Sequence, residues 1–99
     1  MMKYYVKVHK RPDGLHVVAM CDEDLIGYKF EEGKLSFEVT KYFYMGDLRD
    51  EEFVLKLFKA YINFNIVGNN ILDLLMKKGL VDQDQIIQMG KVKHAIVLL

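Results

Sequence analysis

Period-two alternation stands at both ends of this chain, and it limits the fold more than any other feature. Tyr4, Val6 and Val8 alternate with Lys3, Tyr5, Lys7 and His9, so a first strand turns one apolar face inward. Arg11-Pro12-Asp13-Gly14 is a turn sequence, in which proline presets one corner and glycine accepts positive φ. Leu15 to Met20 then predicts a second strand, antiparallel to the first. At the far end, Ile86 to Met89, Gly90, and Val92 to Leu98 read as a closing hairpin. Two strand-like ends raise the expectation that the last strand pairs with the first.

Between them the pattern changes period. Asp22-Glu23-Asp24 interrupts the strand pattern, and Phe30-Glu31-Glu32-Gly33-Lys34 reads as a turn. Leu35, Phe37 and Val39 form a third alternating strand, which Tyr42-Phe43-Tyr44 extends or follows with a short fourth. Asp50 is placed to cap a helix, with Glu51 and Glu52 at the positive end of its dipole. Phe53, Val54, Leu57, Phe58, Tyr61 and Ile62 keep the helical period. Val67, Ile71, Leu74 and Leu75 make a second such stripe, closed by Lys77-Lys78-Gly79. Asp82 and Gln85 resemble a capping box around a turn of helix. The expected architecture is α+β: a mainly antiparallel sheet in the order β-β-β(-β)-α-α-β-β, packed against a helical pair.

Composition bounds the rest. Ninety-nine residues make a single domain, 1–99, and 52% hydrophobic residues with one proline exclude a disordered chain. Fourteen basic residues balance fourteen acidic ones, so a polyanionic partner must be met by local segregation of charge. The one cysteine, Cys21, leaves no internal disulfide and suggests a reducing compartment. The longest uncharged run, Ala60 to Leu72, falls short of the about 20 apolar residues of a membrane span. A cytoplasmic location is expected, with no membrane partner.

All four asparagines lie in Asn63-Phe64-Asn65-Ile66-Val67-Gly68-Asn69-Asn70. Read on helical periods, Asn70 falls on the inward stripe of the second helix, where a buried amide needs partners. The stretch is then a helix–helix junction locked by side-chain amides, or a polar pocket or RNA contact.

Several segments together also resemble a known family. They are Cys21-Asp22-Glu23-Asp24-Leu25-Ile26-Gly27, Phe30 with Glu32-Gly33 and Leu35, and Phe43-Tyr44 with Gly46. Asn65-Ile66-Val67-Gly68, Gly79-Leu80-Val81 and His94-Ala95 follow. In this order and spacing the chain resembles archaeal domain-of-unknown-function family 424. The resemblance implies an archaeal source and a cytoplasmic protein. It implies no established activity, and suggests an association with RNA or translation.

Two candidate sites emerge. Lys3, Tyr5, Lys7 and His9 share a strand face that Lys10 and Arg11 continue, and Lys91 and Lys93 share parity on the last strand. With the terminal strands adjacent, these cations and the aromatic form one patch suited to phosphates and an unpaired base. The second candidate is a polar pocket of Cys21, Asn65, Asn70 and His94. Cys21 and His94 suit a nucleophile–base pair, although His94 also reads as a hydrogen-bonded structural residue on an apolar face. Cys21, His9, His16 and His94 lack metal-ligand spacing, so neither a metal nor a cofactor is expected. The leading expectation is a non-enzymatic RNA- or ribosome-associated protein acting through the basic face, with no DNA partner predicted. The alternatives are a protein adaptor or homodimer using the terminal strand Ala95 to Leu99 as an edge, and an enzyme built on Cys21, Asn65 and His94.

Overall fold

The computed structural model describes residues 2–99. The first hairpin forms as expected, with its second strand two residues later than Leu15 to Met20: β1 (Tyr4–His9) pairs antiparallel with β2 (Val17–Asp22), and Gly14 closes the turn at φ 82°. A one-turn 3-10 helix over Glu23–Leu25 leads to a separate hairpin, β3 (Lys29–Glu32) and β4 (Leu35–Glu38). Tyr42-Phe43-Tyr44 belongs to a short helix, α1 (Lys41–Tyr44), rather than to a strand. The Thr40 hydroxyl accepts the Phe43 amide 3.2 Å away and starts that helical turn. β5 (Asp47–Arg49) then joins the edge of β1. Asp50 caps α2 (Glu51–Ala60), its carboxylate accepting the Phe53 amide at 3.0 Å.

The asparagine stretch departs most from expectation. It is no junction within a helical pair. Asn63–Val67 is a strand, β6, and it lies between α2 and α3 (Asn69–Lys77). A second 3-10 turn, with the expected Asp82–Gln85 capping box, precedes the closing hairpin of β7 (Ile86–Met89) and β8 (Val92–Leu98).

The large sheet runs β5-β1-β2-β6-β8-β7. It is mixed rather than purely antiparallel, because β2 and β6 are parallel, with Val18 opposite Phe64 and Met20 opposite Ile66. The terminal strands are not neighbours: β2 and β6 separate β1 from β8. Nor is β8 an edge available to a partner strand, since β6 and β7 flank it and the edges belong to β5 and β7.

Each sheet face has its own cover. On one, α2 and α3 bury Val18, Met20, Phe64 and Ile66 against Val54, Ile71, Leu72 and Leu75. Phe58 of α2 stacks on Phe64 with ring centroids 4.0 Å apart. Each such side chain contributes about 1.5–3 kcal/mol by leaving water. On the opposite face, α1 and the β3–β4 hairpin cover Ala19, Cys21, Val67 and Val92 with Val39, Tyr44, Phe37 and Phe43. That second cover is partial, and Ile87, Ile96 and Leu98 stay exposed.

Candidate functional site

The second face carries most of the polar chemistry. Strand pairing puts Asn65 of β6 between Ala19 of β2 and Ile96 of β8. One residue pair along, Val67 stands between Cys21 and His94. Paired residues share a face, so Cys21, Asn65 and His94 all turn toward α1 and the hairpin. The Tyr44 hydroxyl, from α1, donates to Asn65 Oδ1 at 2.6 Å. His94 Nε2 lies 2.9 Å from the same oxygen. That oxygen is an acceptor only, so Nε2 carries the hydrogen and Nδ1 is left with its lone pair. Phe37 of β4 packs against the imidazole with centroids 4.7 Å apart.

Burial sets the protonation states here. It holds the Tyr44 hydroxyl above the usual tyrosine range and pushes the Cys21 thiol up to about 12, to which Asp22 and Asp24 add. It moves His94 the other way, below the ordinary histidine value. All three groups are thus neutral near pH 7. Cys21 is a protonated core thiol there, and His94 bonds to Asn65, so the nucleophile–base pair is not assembled.

Asn70 does not join this cluster. It is exposed at the start of α3, near the carboxyl ends of the parallel pair. There β2 leads to the hairpin on one face of the sheet and β6 leads to α3 on the other. The carboxylate of Asp22, at the end of β2, accepts the amides of Asn70 and Ile71 at 3.0 and 2.9 Å. It supplies the cap that Gly68, lacking a side chain, cannot. Gly68 has φ 132°, and a Cβ there would lie 2.5 Å from Asp22 Cγ, so backbone and space both demand glycine. Burial raises the Asp22 pKa, against the two amide bonds that lower it. Beside it opens a cleft of about 250 Å³ lined by Lys3, Tyr4, Asp22 and Asn70. The other asparagines have separate duties: Asn69 binds the carbonyl of Lys91 and the amide of Lys93, and Asn63 is half-buried on the open face.

The basic residues are divided. Lys3 lies at the cleft, and Lys93 reaches Asp73 of α3 at 3.5 Å on the helical face. Lys91 is exposed in the β7–β8 turn. Tyr5 is half-buried against the second core, and Arg11 pairs with Asp13 at 2.9 Å. Lys7 and His9 gather around α1, which the sequence had not marked as part of the patch. Lys7 Nζ donates to the Tyr42 carbonyl and sits 4.9 Å from the Tyr42 ring centroid. His9 Nε2 donates to the Phe43 carbonyl at 2.8 Å, and its ring stacks on Phe43. Tyr42 itself is 79% exposed and flanked by exposed Lys41, and exposed Lys10 follows His9 at the end of β1. The row His9, Val17, Asn63 and Leu98 leads from this platform across the open part of the sheet. The signal available in the sequence was the Lys41-Tyr42 dipeptide, masked by reading Tyr42 as strand.

Among the described residues no group of three or more histidine, cysteine, aspartate or glutamate side chains is arranged to hold a metal ion. No helix among them is long and apolar enough to cross a membrane.

The architecture is thus a small α+β domain on a mixed sheet, with a buried Tyr–Asn–His cluster under a separate hairpin. The chain belongs to the family described as Protein of unknown function (DUF424), whose model matches residues 9–99. It is similar in fold to an uncharacterized conserved protein from Methanopyrus kandleri. The TM-score is 0.77 at 22% identity, over 97% of this chain and 92% of that one. No curated protein matches the chain.

Proposed function

We propose a non-enzymatic RNA-binding protein, acting on single-stranded or looped segments such as ribosomal RNA exposes, with Tyr42 as the stacking platform. The observation that carries this reading is an exposed aromatic ring with a lysine beside it, on a helix anchored to β1. Tyr42 is 79% exposed, while its helix is tied to β1 through Lys7 and His9. An unpaired base gains about 1–3 kcal/mol from stacking on such a ring. Lys7, Lys10 and Lys41 stand where the flanking phosphates would pass, and Val17, Asn63 and Leu98 offer the next bases an uncharged surface. Lys91 and Lys93 have no part in this version of the site.

The test is fluorescence anisotropy with labelled single-stranded RNA at several salt concentrations. Three phosphate contacts predict a log–log salt slope of about −2, reduced by about 0.7 in Lys7→Met. Tyr42→Ala should weaken binding roughly 5- to 150-fold, with Tyr42→Phe close to wild type. Absence of binding at low salt, or affinity indifferent to Tyr42→Ala in a folded variant, would overturn the reading.

A further inference from the structure

His94 Nδ1 is buried and lacks a hydrogen-bond partner, the one buried side-chain nitrogen or oxygen so placed among the described residues. The other ring nitrogen is fixed by Asn65, whose oxygen also accepts a hydrogen bond from the Tyr44 hydroxyl. Protonation at Nδ1 would therefore place a new N–H and a full charge where no acceptor waits.

No anion compensates. The β6 neighbours are Val67 and the Asn65 amide; beyond Val67 on β2 is the Cys21 thiol, and beyond Asn65 on α1 is the Tyr44 hydroxyl, all neutral. β4 presents Phe37, and β7 places Ile87 beside His94 in register. The inward face of β3 carries Phe30 and, at the exposed hairpin tip, Glu32. Asp22 and Asp24 bear on Cys21, while burial is the cause acting on His94. Lys93 points to the other face, toward Asp73.

The elements over His94 are not held equally. The backbone of His94 lies in the ladder between Val67 and Ile87. The β3–β4 hairpin is a two-stranded sheet of its own, and such a hairpin is marginal without a surface to pack on. Side chains fasten it to the large sheet: Phe37 against His94, and the Tyr28 hydroxyl donating to the Met89 carbonyl at 2.7 Å. Tyr28 and Phe30 press on Gly90, where a Cβ would meet Tyr28 Oη at 2.5 Å.

We propose that the β3–β4 hairpin is an acid-released cover: protonation of His94 Nδ1 lifts Phe37 and the hairpin from the sheet while the six-stranded sheet stays folded. Opening admits water to Nδ1 and exposes the undersides of Phe30 and Phe37 with the Asn65–His94 pair. The closed form binds the proton more weakly than the open one. Its advantage is therefore whole above the ordinary histidine value of about 6.5, declines as pH falls below it, and levels off under the lowered closed-form value. Each pKa unit between the two forms changes the open fraction about tenfold.

Native-state hydrogen exchange, corrected for intrinsic rates and followed from about pH 7.5 to about pH 5, tests this together with NMR titration of the His94 ring. Hairpin amides over 28–38 should lose protection on acidification while those of Phe64, Ile66 and Val97 keep theirs. The ring should titrate below about 6.5 in the wild type. In His94→Phe the acid response of the hairpin should vanish. Phe37→Ala, which leaves the polar cluster intact, should expose the hairpin at neutral pH and return the ring to an ordinary titration. That variant keeps the test decisive even if His94→Phe does not fold. Hairpin protection independent of pH, lost together with β6 and β8, or still acid-sensitive in His94→Phe, would overturn the proposal.

Discussion

Asp22 illustrates how a single carboxylate can serve an element far away in sequence. Its two oxygens take the first amides of α3, almost fifty residues on, where the helix has no capping side chain of its own. Asp22→Ala removes both acceptors and leaves the buried Ile71 amide, and the partly buried Asn70 amide, unpaired. The expected cost is about 1–3 kcal/mol, read as a lower urea midpoint with an unchanged slope. Asp22→Asn retains one acceptor oxygen and should lose less. The acidic segment 22–24 was visible in the sequence as a break in the strand pattern, whereas Asp22 is the last residue of β2. What the sequence did not carry was the distance relation to Gly68, because a cap supplied from another strand has no local spacing. The hydrogen-bonded role of His94 on an apolar face was legible, since its parity with Val92 and Ile96 is set by the strand alone.

At the scale of elements, the first and last hairpins, α2 with its Asp50 cap, and the end of α3 at Lys77 followed the sequence signals. β6 did not. Its alternation, Asn63-Phe64-Asn65-Ile66, was present, but asparagine is a poor strand former and the surrounding uncharged run favoured a helical reading. The strand wins because Phe64 and Ile66 are fully buried under the helices while the ladder is paired on both sides. A strand at this position has a direct consequence. Asn63, half-buried on the open face, should be replaceable by threonine with a gain of a few tenths to about 1 kcal/mol in chemical denaturation. A junction capped by that amide would instead be weakened. The same error placed Asn70 in a pocket with His94. With β6 counted as strand, the helix begins at Asn69 and Asn70 turns outward.

For the whole molecule, the order β5-β1-β2-β6-β8-β7 decides where charge collects. Lys91 and Lys93 cannot join the cations of β1 across two intervening strands, so the phosphate contacts of the RNA reading rest on β1 and α1 alone. The parallel contact of β2 with β6 also bears on how the chain reaches this state. Val18 must find Phe64 and Cys21 must find Val67, although the first hairpin is complete by residue 22. A growing polypeptide therefore carries the apolar edge of β2 unmatched until β6 emerges, and β6 in turn waits for β8. Such delayed zippering predicts refolding in milliseconds to seconds rather than microseconds, which stopped-flow tyrosine fluorescence can time.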